Sequence, residues 1–110
     1  MSMSGVISCS TSMRIGINGF GRIGRLVFRA LWGRSGIDIV HVNDCAGDAV
    51  AAAHLLHFDS VHGRWQHSVR PHSTGFLVGE QQVRYSSESD PTKADWIDSG
   101  VEMLLECSGK

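Results

Sequence analysis

Three glycines near the start of the chain have the spacing of a turn that binds phosphate. Gly19, Gly21 and Gly24 form the pattern GxGxxG, directly after a short apolar run and directly before a segment with helical periodicity. In such a turn the first glycine permits a tight bend, the second lets the backbone approach a pyrophosphate, and the third allows close packing of helix on strand. The N–H groups of the first helical turn, at Arg22 and Ile23, then face the phosphates.

An acidic residue follows at the distance that a dinucleotide site requires. Asp44 lies twenty residues after Gly24, at the end of a second apolar run. A carboxylate there can accept hydrogen bonds from the hydroxyls of an adenosine ribose. It also repels a 2′-phosphate, and no Arg or Lys lies between Asp44 and Arg64 to offset that repulsion. We therefore predict binding of NAD rather than NADP; the alternative is a plain glycine turn without a ligand.

The segments around these residues have the pattern of a βαβ unit. Residues 14–18 and 37–43 are apolar runs suited to parallel strands, and residues 22–32 between them have helical spacing. The helical positions predicted to face the core are Ile23, Leu26, Val27, Ala30 and Leu31. The residues that could bind a ligand thus fall at strand ends and at a helix start.

The rest of the chain predicts a second helix, a group of short strands and a final strand. We expect a helix over residues 48–58 and antiparallel strands within residues 64–85, broken at 71–75 and near 79. Asp90 and Pro91 can open a short helix that reaches about residue 97. The fold class predicted is α/β: a Rossmann-type parallel sheet, incomplete, with a small antiparallel insertion.

The final predicted strand, residues 101–107, brings further residues to the candidate site. In the usual strand order it lies beside the first strand, across the point where the winding reverses, and ligands bind at that carboxyl edge. Ser108 and Gly109 follow directly and are expected to border the cofactor. An ordinary turn at the end of a strand is the alternative.

Composition excludes several other classes of function. The formal net charge of -1 provides no broad attraction to nucleic acid, and no segment is long and apolar enough for a membrane span. Cys9, Cys45 and Cys107 have the spacing of neither a disulfide framework nor a zinc site, which favours reduced thiols in the cytoplasm. No metal site is predicted from His54, His57 and His62, and the three tryptophans are too scattered to form a stacking platform.

Several short stretches resemble those of phosphorylating glyceraldehyde-3-phosphate dehydrogenases. They are INGFGRIGR at residues 17–25, ND at 43–44, FDSVHGR at 58–64, DP at 90–91 and ECSG at 106–109. They occur in the order and approximate spacing of that family, and the resemblance covers residues 13–110. One departure is Ser89, which stands where the family commonly has an arginine. The contact that this arginine would make near the adenine is therefore not expected here.

The resemblance implies a cofactor, a reaction and a set of binding residues. The cofactor is NAD, and the residues implied to bind it are Asn18, Gly19, Gly21, Arg22, Ile23, Gly24, Asp44, Ser108 and Gly109. The full-length enzyme is implied to be a cytoplasmic homotetramer that oxidises glyceraldehyde 3-phosphate, with phosphate or arsenate as the acyl acceptor. Residues 53–56 and 58–65 resemble a bacterial branch that includes erythrose-4-phosphate dehydrogenases and paralogues associated with arsenic export, and we favour the latter.

The domain organisation expected is a loose extension over residues 1–13 and a truncated dinucleotide-binding domain over residues 14–110. The family's catalytic cysteine and its partner histidine are expected beyond Lys110, so we predict no catalytic residue here and an inactive, marginally stable fragment. Cys45 and Cys107 are interpreted as structural thiols. The alternatives are a stand-alone nucleotide-binding or interaction module without catalysis, an erythrose-4-phosphate dehydrogenase fragment, and a Rossmann oxidoreductase of another family.

Overall fold

The computed structural model describes residues 12–45, 47–59 and 63–108. Residues 1–11 of the expected extension lie outside this part of the chain. The elements in chain order are β1 (Met13–Asn18), α1 (Arg22–Leu31), β2 (Ile37–Asn43), α2 (Ala49–His57), β3 (Phe58–Asp59), β4 (Gly63–Arg64), β5 (Val69–His72), β6 (Gly75–Val78), β7 (Gln81–Ser86), a 3-10 turn (Pro91–Lys93) and β8 (Met103–Glu106).

The main sheet has six strands in the order β5-β6-β7-β2-β1-β8. Strands β7, β2, β1 and β8 run parallel, while β5, β6 and β7 form an antiparallel meander. Strand β8 pairs with the edge of β1 opposite to β2, which is where the winding of a Rossmann sheet reverses. The predicted fold class, a Rossmann-type α/β sheet with an antiparallel insertion, is confirmed.

Both helices pack on one face of this sheet, around a cluster of large aromatic side chains. Phe28 of α1 is fully buried and contacts the rings of Phe20, Trp32, Trp65 and Phe76. Helix α2 contributes small and aliphatic residues to the same core, namely Ala52, Ala53 and Leu56. Burial of this apolar surface holds α1, and therefore its first turn, against the ends of β1 and β2.

The prediction of which α1 residues contact the core was partly wrong. Ile23 and Leu26 are 60% and 43% exposed, whereas Gly24 and Phe28 are the buried positions of the helix. The aliphatic periodicity omitted Phe28, whose large ring anchors the helix and turns Ile23 and Leu26 toward solvent. Val27 and Leu31 are partly buried against the core, as expected, while Ala30 is exposed.

Two further elements differ from the sequence-based prediction. The helix expected to reach residue 97 is only the 3-10 turn, because the chain leaves it to place Trp96 on the second face of the sheet, over Gly16 of β1. A Cβ at Gly16 would lie 2.9 Å from the Trp96 ring. The other difference is a small hairpin of β3 and β4, which begins at Phe58, where helix α2 has just ended.

Candidate functional site

A cleft of about 630 Å³ opens at the carboxyl edge of the sheet, where the ends of β1, β2 and β8 meet. Its walls come from the turn after β1, the segments that follow β2 and β7, and the end of β8. The residues that line it are Asn18, Gly19, Phe20, Gly21, Arg22, Ile23, Asn43, Asp44, Cys45, Glu88, Ser89, Glu106, Cys107 and Ser108.

Two of the three motif glycines are required by the protein's own packing. Gly19 has a φ of +97° and its N–H donates to the carbonyl oxygen of Asn43 at 2.7 Å. A Cβ there would collide with the backbone of Ser108, and a Cβ at Gly24 would collide with the carbonyl oxygen of Gly19. These two glycines therefore let β1, β8 and helix α1 approach one another closely.

Gly21 stands apart from the other two. Its φ is -77°, a value open to any residue, and no atom beyond its two chain neighbours lies within 4 Å of an ideal Cβ at this position. Nothing in the described structure therefore requires glycine there. Because Gly21 lines the cleft, the space that a side chain would fill is space available to a ligand.

Helix α1 begins at this cleft without a cap. Gly21 is its N-cap residue, no side chain caps the helix, and the first turn carries no acidic residue. Helix α2 is built differently, because the side chain of its N-cap residue Asp48 accepts a hydrogen bond from the N–H of Ala51 at 2.7 Å. The first-turn residues Arg22 and Ile23 line the cleft, so the positive end of the α1 dipole faces it.

Asp44 joins the second wall of the cleft to the glycine turn. Its Oδ2 accepts a hydrogen bond from the N–H of Phe20 at 2.9 Å, and its own N–H donates to the carbonyl oxygen of Ser86 at 3.0 Å. The side chain is half-buried and lines the cleft one residue beyond the end of β2. A carboxylate is thus held in place at the strand end where the sequence predicted it.

The third wall is formed by the end of β8. The N–H of Ser108 donates to Oε1 of Glu106 at 3.0 Å, and the N–H of Cys107 donates to the carbonyl oxygen of Asn18 at 2.7 Å. Burial raises the pKa of the Cys107 thiol, and the neighbouring Glu106 carboxylate raises it further. The thiol is therefore protonated at neutral pH, in the form that is a poor nucleophile.

The structure brings most of the predicted cofactor residues together. Seven of them line the cleft: Asn18, Gly19, Gly21, Arg22, Ile23, Asp44 and Ser108. Gly24 packs beneath the turn instead, and Gly109 lies outside the described residues.

Some lining residues had no role in the prediction. Asn43, Glu88 and Glu106 contribute polar groups, and Cys45 is exposed in the cleft. The sequence signal that could have indicated Asn43 is a pair of asparagines, Asn18 and Asn43, at the ends of two neighbouring parallel strands.

The histidines singled out by the sequence lie elsewhere. His54 and His57 are on α2 and contact the ring of Phe58, and His62 is outside the described residues. Burial lowers the pKa of His57, and the positive charges of Arg64 and Arg29 lower it further. Across residues 12–45, 47–59 and 63–108, no three His, Cys, Asp or Glu side chains are grouped to hold a metal ion. In the same residues neither helix has the length and apolarity to cross a membrane.

Comparison with known proteins assigns this fold and cleft to a family. Residues 13–110 match the family described as glyceraldehyde 3-phosphate dehydrogenase, NAD binding domain. Glyceraldehyde-3-phosphate dehydrogenase 3 of Nostoc sp. is 49% identical over 98 residues, which is 89% of this chain and 29% of that protein. The cytosolic enzyme of Chlamydomonas reinhardtii is 43% identical over 100 residues, 91% of this chain and 29% of that protein.

The chain therefore spans about 29% of the length of these relatives, and the part it spans is the part that carries the cofactor domain. The matched residues include every described residue that lines the cleft. The predicted family and its cofactor, NAD, are confirmed. This chain belongs to the family of glyceraldehyde-3-phosphate dehydrogenase NAD-binding domains.

Proposed function

We propose that the cleft binds NAD with the pyrophosphate at the start of α1 and the adenosine ribose on Asp44. The observation that carries this proposal is the uncapped first turn of α1, which faces a cleft with a fixed carboxylate on its second wall. Unpaired N–H groups and the helix dipole favour an anion at the first turn. The carboxylate accepts hydrogen bonds from ribose hydroxyls. Gly21 leaves room for the phosphates to approach the backbone.

The charges around the cleft favour NAD over NADP. Asp44, Glu88 and Glu106 all line it, against the single cationic lining residue Arg22 among the described residues. A 2′-phosphate on the adenosine ribose would add about two negative charges close to the Asp44 carboxylate, and like charges at this distance repel. The carboxylate thus binds the unmodified ribose and excludes the phosphorylated one.

Titration calorimetry with NAD and NADP tests this assignment. Asp44→Ala removes the hydrogen bonds to the ribose, each worth about 1.5–3 kcal/mol for a charged acceptor, so NAD affinity should fall at least about tenfold. Asp44→Asn keeps an acceptor for Phe20 but removes the charge, so the preference for NAD over NADP should narrow. Asp38→Asn is the control, because Asp38 lies near the amino end of β2, whereas Asp44 directly follows its carboxyl end. Equal NAD affinity for Asp44→Ala and the control would remove the ribose role.

For the whole protein, we propose an NAD-dependent phosphorylating oxidation of glyceraldehyde 3-phosphate, with phosphate or arsenate as acyl acceptor. Support comes from the similarity to glyceraldehyde-3-phosphate dehydrogenases, which are enzymes of about three times this length. In that reaction a thiolate attacks the aldehyde and the adduct transfers hydride to the bound cofactor. A homotetramer in the cytoplasm is the assembly and compartment that accompany this proposal.

Within that protein, we assign cofactor binding to the described residues, and we assign the nucleophile to neither of the two described cysteines, Cys45 and Cys107. The Cys107 thiol is the one placed beside the glycine turn, and burial together with Glu106 keeps it protonated. We therefore expect this chain to bind NAD but to form no NADH when glyceraldehyde 3-phosphate and phosphate are added. NADH formation that is lost in Cys107→Ser or in Cys45→Ser would contradict this division of roles.

The same geometry supports a second candidate, a nucleotide-binding module that acts without catalysis. The specific observation is that this chain itself supplies both the uncapped start of α1 and the Asp44 carboxylate proposed to bind the ribose. The two candidates predict different gene sequences downstream of the Lys110 codon. A downstream in-frame segment with a catalytic cysteine and histidine favours the enzyme, whereas a stop codon in an expressed gene favours the module.

A further inference from the structure

Asn43, the last residue of β2, uses its entire amide group inside the protein. It is 1% exposed, and its Oδ1 accepts from the hydroxyl of Ser86 at 2.7 Å and from the N–H of Glu88 at 2.9 Å. Its Nδ2 donates to Oδ1 of Asn18 at 2.9 Å and to the carbonyl oxygen of Glu88 at 3.0 Å. Two donors and two acceptor positions are the full capacity of an amide side chain.

These four bonds tie together two walls of the cofactor cleft. Asn18 precedes the glycine turn, and Glu88 belongs to the segment after β7 that forms the wall near Asp44. Asn43 binds both the N–H and the carbonyl oxygen of Glu88, so the backbone of this segment is held at two points next to β2. Asn18 also contacts the third wall of the cleft, because its Nδ2 donates a hydrogen bond to the carboxylate of Glu106 at 2.9 Å.

The backbone of Glu88 fixes how the Asn43 amide is oriented, because its N–H donates to Oδ1 and its carbonyl oxygen accepts from Nδ2. The Ser86 hydroxyl donates to Asn43 and lies 2.8 Å from Nε2 of His41. His41 is fully buried, and its Nδ1 lies 2.7 Å from the hydroxyl of Ser99 at the far end of the network. From Ser86 through Asn43 and Asn18 to the carboxylate of Glu106, each side chain donates to the next, an arrangement in which neighbouring hydrogen bonds strengthen one another.

We propose that Asn43 is the positioning residue of the cofactor cleft: it sets the separation of the glycine turn and the 88–89 segment without contacting NAD by a hydrogen bond. This inference rests on the proposed function and adds a residue to which that function assigns no role. Aspartate cannot replace Asn43, because a carboxylate has no donor for Asn18 or for the carbonyl oxygen of Glu88.

The test compares NAD affinity in variants of the network, measured by calorimetry at a temperature well below each variant's unfolding midpoint. Asn43→Ala and Asn43→Asp should each lower NAD affinity about tenfold or more, because the walls they join are no longer held at a fixed separation. Ser86→Ala removes the hydroxyl that donates to Asn43 and contacts Nε2 of His41, while the two bonds between Asn43 and the Glu88 backbone remain, so it should lower affinity by about threefold. It serves as the second variant if changes at Asn43 prevent folding.

Ser99→Ala is the matched control, since it removes a hydroxyl that also contacts His41, at the end of the network remote from the cleft. We expect it to lower the unfolding temperature but to leave NAD affinity within about twofold. If Ser86→Ala and a folded Asn43 variant bind NAD as the unaltered chain does, Asn43 has only a structural role. If the unaltered chain binds no NAD, the proposed function fails, and this inference fails with it.

Discussion

A single methyl group, added at Gly21 or at Gly24, separates what NAD binding requires of the glycine turn from what folding requires. At Gly24, inside α1, alanine raises helix propensity by about 1 kcal/mol. Against that gain, its Cβ would collide with the carbonyl oxygen of Gly19 and lie 3.0 Å from the carbonyl carbon. Both atoms belong to the backbone, so no rotamer change relieves the contact, and overpacking of this kind costs about 1–3 kcal/mol or more.

The steric cost at Gly24 should therefore exceed the gain in helix propensity. We expect Gly24→Ala to lose up to about 2 kcal/mol of unfolding free energy, which for a domain of this size lowers the melting temperature by up to roughly 15 °C. The fluorescence of Trp32 and Trp65, which pack together in the core, provides the signal for urea unfolding. NAD affinity should fall as well, because Gly19 must move.

At Gly21 the same methyl group should leave the fold intact. The φ of -77° suits alanine and no atom beyond the two chain neighbours lies within 4 Å of the new Cβ, so stability should be unchanged or raised by up to about 1 kcal/mol. The steric cost then falls on the complex alone, and NAD affinity should drop roughly 5- to 150-fold. The reasoning is refuted if Gly21→Ala binds NAD like the unaltered chain, or if Gly24→Ala unfolds at the unaltered urea concentration.

Two further predictions concern stability away from the glycine turn. Burial, and secondarily the charge of Arg84, lower the pKa of His41 from 6.5 to about 4, so the unfolded chain binds a proton that the folded chain does not as the pH falls through this range. The free energy of unfolding should therefore be highest above about pH 6.5 and should decrease by about 3 kcal/mol toward pH 4. In urea unfolding experiments, His41→Gln should flatten this dependence between about pH 6.5 and 5. Arg29→Met keeps the aliphatic stem near Trp65 but loses the hydrogen bonds to the carbonyl oxygens of Leu56 and Gly63. It should lower the free energy of unfolding by about 1–3 kcal/mol. A change below about 0.5 kcal/mol would show that the end of α2 does not need these bonds from Arg29.

The parts of the site that could be predicted from sequence are those that depend on local backbone geometry. Gly19 must adopt a positive φ and Gly24 must admit a backbone oxygen, and both constraints act within six residues of the chain. The position of Asp44 follows from the length of one βαβ unit. Such features recur wherever a strand, a tight turn and a helix meet at a phosphate.

The parts that could not be predicted depend on contacts between distant segments. Asn43 faces Asn18 only because of the register of β1 and β2, which shifts between Ile15 and Gly16. The buried face of α1 depends on Phe28 packing against Trp65 and Phe76, which are far away in the chain. Neither the shift nor the aromatic cluster is encoded in the periodicity of a single segment.

The most direct test of the central claim is an NMR titration of the isotopically labelled chain with NAD. We expect the largest changes in amide chemical shift at Gly21, Arg22 and Ile23, where the uncapped helix start faces the cleft, and at Asp44. Amides of the antiparallel strands β5 and β6, remote from this edge, should not change. Saturable shifts confined to those strands, with the first turn of α1 unaffected, would contradict the account.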